Sequence, residues 1–389
     1  SRGMKSKAIV LGMYSPNGLG VVRSLGIEGI PSVGFHKGDK FPHASYSKYL
    51  EKVFFTKDDP ELLKSLIEFG KQQDEKGILF CTGDDYALFA EKNAELLSQY
   101  YHVPLARYGL LEDIIDKSNV LEIGKEAGFN VPANAKLSSD EVFNIQYPVF
   151  LKPLFSVGTG KKDMQIIGTK EELKEIRKSL LENYGEMQVE TYIPGPIINE
   201  IEIHTYLTSK GVPLIAGMLK YGNCFAEKGF EHKRGFLRKT IYNPDVIAPS
   251  NNLTRLLGFK GALDINLKQS SADGKFYFNE VNTRTSANLM IDTKFGLNLP
   301  GIIYRDLNSL DFSDLTQKDL QIGKYWVEER RFKEYSRQGL SLNWDKLENI
   351  INSNPSYAFF DGEDVAPFYM SLMKGGFDGF DAEINTKKK

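Results

Sequence analysis

Phe276-Tyr277-Phe278-Asn279-Glu280-Val281-Asn282-Thr283-Arg284-Thr285-Ser286 is the stretch on which the reading of this sequence turns. Apolar alternation predicts a strand, with Phe276, Phe278 and Glu280 on one face and Asn282 continuing that face beyond its end. An acid, an amide and an arginine then follow at two-residue spacing. Carboxylate and amide oxygens suit a hard cation such as Mg²⁺, and a neighbouring arginine can hold a transferring phosphoryl group or a developing oxyanion. A strand end fraying into a solvated loop is the plainer alternative.

Working upstream, Gly261-Ala262-Leu263-Asp264-Ile265-Asn266-Leu267 reads as the partner strand, folded back by the hairpin turn Asp273-Gly274. Asp264 and Asn266 share a face, so either can stand opposite Glu280. Polar alternation on a solvated face would give the same pattern. Four oxygen-bearing side chains converging from two strands favour a metal site instead.

Further upstream, Tyr147-Pro148-Val149-Phe150-Leu151-Lys152-Pro153 places a lysine inside an apolar strand, where it is costly to bury without an anion. The loop after it carries Ser156, Gly158, Thr159 and Gly160, small residues that let backbone amides approach phosphates. The GxxxxGK[ST] order of a Walker loop is absent, and a flexible hairpin would look similar. Gln188-Val189-Glu190-Thr191-Tyr192-Ile193-Pro194-Gly195 reads as a buried strand entering a turn, at a distance that suits the second wall of one cleft.

The rest of the chain supplies the frame. Residues 7–12 and 32–35 with an intervening helix open a β-α-β pattern that recurs to about residue 113, predicting a doubly wound parallel-sheet domain over 4–113. Asp116 starts a helix that stops at Gly128-Phe129-Asn130-Val131-Pro132, opening a small mixed subdomain over 114–186. Residues 187–310 are strand-rich, and 311–389 read as a charged, aromatic helical extension. The 389 residues, 41% hydrophobic and 26% charged, allow two or three modules with proper cores. A formal net charge of −2 argues against nucleic acid or an anionic membrane as partner. The two cysteines and the lack of a long apolar run predict a reducing, cytoplasmic setting without a membrane span.

In this order the elements resemble the ATP-grasp superfamily over residues 4 to about 310. Within it, Thr82-Gly83-Asp84-Asp85-Tyr86, the Asp116-Lys117 helix start and the Gly128–Pro132 stop are most similar to carboxylate–amine ligases, a group that includes bacterial D-aspartate ligases. The resemblance implies an α/β fold, α+β in its catalytic part: an N-terminal doubly wound domain, a lid subdomain and an antiparallel catalytic domain. It implies ATP held by Lys117, Lys152, the Ser156–Gly160 loop, Glu190, and the backbone at Tyr192 and Ile193. Glu200 takes the ribose, with Glu202 as the near alternative. Mg²⁺, or Mn²⁺ in its place, falls to Glu280 and Asn282, with the third ligand either Asn266, where many members carry an acid, or Asp264.

The implied activity joins a small-molecule carboxylate to an amine through an acyl phosphate, with Lys152 and Arg284 as the catalytic cations. A homodimer is allowed for. Lys220, Lys233, Arg234 and Arg238 lie in or beside a loop suited to folding over the acceptor, and His204 reads as cleft lining. The rivals are carboxylation through carboxyphosphate and a non-catalytic nucleotide sensor, and the grouping of Lys152, Glu280, Asn282 and Arg284 argues against the latter.

Overall fold

A computed structural model describes residues 6–14, 16–38, 42–105, 114, 116–154, 165–226, 228–230, 233 and 235–373. The apolar runs near the N-terminus become β1 (Ala8–Leu11), β2 (Ser32–Lys37), β3 (Leu50–Thr56), β4 (Gly77–Cys81) and β5 (Tyr101–His102). They form a parallel sheet of order β3-β2-β1-β4-β5. β1 and β4 are buried along their whole length, as unbroken apolar runs require when helices cover both faces. Helices α1 (Asn17–Ile27), α2 (Asp59–Lys71) and α3 (Asp84–Lys92) provide the cover. The strand order reverses between β1 and β4, and α3 begins at the carboxyl end of β4, at that switch point.

Helix α4 (Lys117–Ala127) starts where the Asp116 side chain accepts bonds from Ser118 N and Asn119 N. It stops at Gly128, whose φ of 105° few other residues would adopt. The lid sheet consists of β6 (Asn134–Lys136), β7 (Val149–Pro153), β8 (Gln165–Ile167) and β9 (Met187–Thr191), in the order β6-β9-β7-β8. Helix α5 (Lys170–Tyr184) covers it, and Val149, Leu151, Ile167, Leu173 and Val189 form a core separate from the rest.

The catalytic sheet has seven strands in the order β14-β13-β10-β11-β12-β15-β16. These are β10 (Glu200–Leu207), β11 (Pro213–Gly222), β12 (Leu237–Thr240), β13 (Leu263–Gln269), β14 (Phe276–Asn282), β15 (Tyr325–Val327) and β16 (Ser356–Tyr357). Ile201, Ile203 and Ile265 point to one face, packed with α4 and with α6 (Ile247–Leu257). Glu200, Glu202, His204, Asp264 and Asn266 share the other. Helix α7 (Leu289–Phe295) covers part of that polar face, and α8 (Leu299–Leu307) joins it to the N-terminal core.

The stretch after Asp311 corrects the sequence reading. It supplies α9 (Glu329–Arg337), α10 (Trp344–Asn352) and α11 (Ala366–Met373), but also β15 and β16, which extend the catalytic sheet. Strands of three and two residues are too short to show alternation, and Trp326 is buried by distant partners, Leu219, Ile291 and Phe359 among them, beside its pairing with Arg238 on β12. The same stretch returns to the N-terminal domain. Arg23 on α1 donates to Asp364 (3.0 Å) and to the carbonyl of Phe359 (2.7 Å), while Ser47 Oγ and Lys48 N also bond Asp364. Among the described residues no helix is long and apolar enough to cross a membrane.

Candidate active site

The register of β13 on β14 fixes the polar cluster. Asp264 stands opposite Asn282 and Asn266 opposite Glu280, but the next pair is Leu267 with Phe278, leaving Asn279 as an extra residue. This β-bulge turns two consecutive side chains to one side. Asn279 Oδ1 accepts from Lys152 Nζ at 3.1 Å, and Glu280 Oε2 meets Lys117 Nζ at 3.1 Å. Phe278 and Val281 point into the core on either side of the bulge. The expectation that Phe276, Phe278 and Glu280 share a face is therefore corrected, because strict alternation fails at Asn279. A Cβ on Gly124 would meet the Phe278 ring well inside contact distance, so this glycine lets α4 lie close enough to bring Lys117 to Glu280.

The charges decide which oxygens are available. Burial opposes ionisation of Glu280, yet Lys117, Lys152 and Arg284 hold its carboxyl below the usual range. Asp264 is 5% exposed, and burial together with Glu202 pushes its carboxyl up to about 7. Its Oδ1 has no hydrogen-bond partner. Glu280, Asn266, Asn282 and Asp264 offer oxygen ligands, and the Asp264 oxygen without a hydrogen-bond partner leaves a lone pair for a cation. The donor set fits a hard divalent ion.

Beside this cluster, a cleft opens between the lid and the catalytic sheet. Lys152, Glu190, Tyr192, Ile193 and Glu200 all line it. Lys152 Nζ lies 2.7 Å from Glu190 Oε2, a pair 9% and 5% exposed in its side chains. Glu200 faces the cleft, whereas Glu202 turns into the protein interior. Lys268 also lines the cleft, 5.0 Å over the Tyr192 ring; burial lowers its pKa while Glu200 pulls the other way. Sequence reasoning missed Lys268, although its two-residue spacing from Asn266 places it on the same face. Asn279 could not be found that way. Ser156, Gly158, Thr159 and Gly160 lie outside the described residues.

Beneath the cluster runs a buried polar layer. His204 Nδ1 meets Asp292 Oδ2, and its Nε2 lies 3.1 Å from Glu202 Oε2 and 3.6 Å from Asp264 Oδ1. Burial disfavours an imidazolium, but Asp292, Glu202 and Asp264 raise the His204 pKa well above its ordinary value. His204 is 2% exposed, so it lies under the cleft and does not line it. Gly217, opposite His204 on β11, makes this possible: a Cβ there would collide with Asp292 Oδ1.

Arg284 reaches across to the N-terminal domain, with Nε 2.9 Å from Asp84 Oδ1 in the first turn of α3. Burial works against its charge; Asp84 and Asp264 raise the guanidinium pKa nonetheless. The β11–β12 connection, read as folding over the acceptor, is tied to the C-terminal stretch instead. Phe225 bridges Leu342, Ala226 N donates to Ser341 O, and Lys233 Nζ reaches Gln338 at 3.4 Å. Arg238 sits in β12 and is 5% exposed, while Lys220 lies in β11 opposite Ile201. Arg234 lies outside the described residues.

No protein-family profile matches the sequence. A D-aspartate ligase of Enterococcus faecium is 25% identical over 350 residues, 82% of this chain and 82% of that protein. Among solved structures, an L-amino acid ligase of Bacillus licheniformis superposes with a TM-score of 0.60 at 16% identity, over 82% of this chain and 78% of its own. The biotin carboxylase domain dimer of Hydrogenobacter thermophilus 2-oxoglutarate carboxylase, in complex with MgADP, ADP and bicarbonate, gives 0.61 at 16% identity, over 82% and 73%. Likenesses at this identity establish the fold.

Proposed function

We infer that this chain is an ATP-dependent carboxylate–amine ligase of ATP-grasp fold, and we propose an acidic amino acid as its carboxylate substrate. The observation that carries the reading is the setting of Glu280. One carboxylate faces Lys117, Lys152 and Arg284 beside three further oxygen donors, next to the cleft that Lys152, Glu190 and Tyr192 line. A site that only sensed nucleotide would have no need of Arg284 beyond the phosphate lysines. The choice of substrate follows the Enterococcus faecium relative.

In the proposed mechanism the backbone at Tyr192 and Ile193 and the Glu190 carboxylate hold the adenine, and Glu200 the ribose. Glu280, Asn282 and Asn266 or Asp264 would hold Mg²⁺, for which Mn²⁺ can substitute; bound there, the ion withdraws charge from the β- and γ-phosphates. Lys117 and Lys152 exchange their protein partners for phosphate oxygens. An oxygen of the substrate carboxylate attacks the γ-phosphorus, and ADP leaves with the bonding pair. The amine nitrogen then adds to the acyl carbon, phosphate departs, and the amine loses a proton. Arg284, drawn from Asp84, stabilises the charge shared by the entering carboxylate and the transferring group. A homodimer and a cytoplasmic location complete the proposal.

The test is ADP release from ATP over a panel of amino acids and carboxylates, with hydroxylamine as trapping amine. The true carboxylate should yield a hydroxamate, and Arg284→Ala should lower turnover on the order of a hundredfold with little change in ATP binding. ADP release that needs only bicarbonate would favour carboxylation. Nucleotide binding with no substrate-dependent ADP from any member of the panel would leave a sensor.

A further inference from the structure

Arg238 is a buried cation with a free edge. Its relative exposure is 5%, yet among the described residues no carboxylate lies within ion-pair distance of it. Its Nη1 donates to the carbonyls of Gly235 (3.0 Å) and Leu237 (2.9 Å), both in the turn and strand that carry it. Its Nε has no partner, and no bond to Nη2 is formed by any described residue. Two other arginines, Arg23 equally buried and Arg284 partly exposed, are held differently. Arg23 is clamped by Asp364 and two carbonyls, and Arg284 is held by Asp84. Glu202, which accepts from Tyr221, feels the Arg238 charge through space but does not bond it, so among the described residues the Nε edge stays open, and a buried donor left unmet is costly.

Two aromatic rings fix the orientation of the guanidinium. The guanidinium carbon lies 3.8 Å over the Tyr221 ring and 5.7 Å from the Trp326 ring, which hold the plane in place. Tyr221 and Trp326 flank Arg238 in register on β11 and β15. Tyr221 Oη donates to Glu202 Oε1 at 2.7 Å, so Arg238 stands at the far end of the polar layer that begins at the metal-type cluster. With Nη1 occupied, the open edge is Nε with Nη2, the fork that takes a carboxylate through two parallel bonds.

We propose that Arg238 receives a carboxylate of the substrate that does not itself react. This rests on the ligase reading and extends it: Arg284 serves the carboxylate being activated, and Arg238 selects substrates that carry another. That second carboxylate comes either from a dicarboxylic donor, such as an acidic amino acid, or from an amino acid acting as acceptor amine.

The experiment compares the full-length wild type with Arg238→Gln and Arg238→Lys. ADP release is measured against ATP, donor and acceptor separately, and direct binding of aspartate (both hands), succinate and glycine is followed by tryptophan fluorescence, because Trp326 adjoins the site. Arg238→Gln should raise KM or Kd for the carboxylate-bearing partner about tenfold or more while KM for ATP is unchanged, and Arg238→Lys should restore part of the loss. Which KM moves identifies donor or acceptor as the source. On the wild type, replacing the non-reacting carboxylate by an amide should cost a similar factor, and on folded Arg238→Gln nothing further. A structural role alone would lower the melting point and kcat without a selective KM shift. Should Arg238→Gln fail to fold, the Lys variant and the amide substrates still decide. Equal KM and Kd with and without that carboxylate on wild type would overturn the proposal. Arg238-dependent binding without ADP release would sink the ligase reading and leave this site standing.

Discussion

Replacing Glu280 by Gln removes one charge and almost no volume, and it separates a catalytic cluster from a merely structural one. Of the four candidate ligands, Asn266 and Asn282 are neutral, and Asp264 has its carboxyl lifted to about 7 by burial and Glu202. Glu280 is the donor kept ionised, because Lys117, Lys152 and Arg284 outweigh its burial. In the fold its charge contributes little: the Glu280 side chain is 37% exposed, and its 3.1 Å pair with Lys117 should be worth under about 1 kcal/mol. The thermal midpoint should therefore fall by no more than about 3 °C. Against a divalent cation the same charge matters far more. A unit charge pair at about 4 Å and an effective dielectric near 20 is worth roughly 4 kcal/mol, the equivalent of about a thousandfold in rate. Glu280→Gln should thus lose on the order of 10²–10³ in ADP-forming turnover at limiting Mg²⁺, recovering partly as Mg²⁺ is raised. Coupled ADP release over a Mg²⁺ titration, with a melting curve for each protein, measures both. A folded variant with near wild-type turnover at limiting Mg²⁺ would refute the metal assignment. So would an equal loss at all Mg²⁺ concentrations accompanied by a large fall in melting point.

Three further substitutions or measurements follow from the packing. Lys152→Ala leaves the Glu190 carboxylate buried beside no cation, so stability should fall by about 3 kcal/mol. The double variant Lys152→Met, Glu190→Gln should regain most of that stability but not the affinity for a non-hydrolysable ATP analogue, measured by calorimetry. Gly217→Ala drives a methyl into Asp292 and breaks its contact with His204, which overpacking and a lost charged hydrogen bond place at roughly 3–5 kcal/mol; wild-type melting would show that the strand gives way instead. Burial pushes the Cys81 thiol up to about 12, with Asp85 adding to it, and the Cys224 thiol up to about 11, so neither should titrate with a thiol reagent until the chain is unfolded.

What could be read from the sequence follows the range of the forces involved. The β1 and β4 runs, the Asp116 cap, the Gly128 stop and the Asp273-Gly274 hairpin are set by neighbours a few residues away, and each was legible. The hairpin allowed either Asp264 or Asn266 opposite Glu280, and the register that selects Asn266 was not legible. Nor was the bulge at Asn279, because a two-residue period says nothing of where a partner strand loses register. The His204–Asp292 and Arg284–Asp84 contacts join residues 88 and 200 positions apart, beyond any local pattern. Arg238 was visible as a charge near a loop. Its burial between Tyr221 and Trp326 depends on β15, which is too short to declare itself.

The division between apolar and polar contacts also says which parts can move. One core runs without a break from Ile9 and Leu11 in the N-terminal sheet to Ile201, Ile265 and Phe278 in the catalytic sheet. The Arg23–Asp364 clasp ties the same two bodies through a buried charge whose breaking should cost several kcal/mol. The lid has a core of its own, and it meets the catalytic sheet across the cleft where Lys152 reaches Asn279. Lys117, at the start of α4, is held in the same way by Glu280. Both lysines are held by side chains that phosphate oxygens would displace with greater charge. On the ligase reading, ATP should therefore act on the Lys152–Asn279 contact between lid and sheet and leave the clasped body unchanged, which hydrogen exchange with and without nucleotide would show as a change confined to the lid.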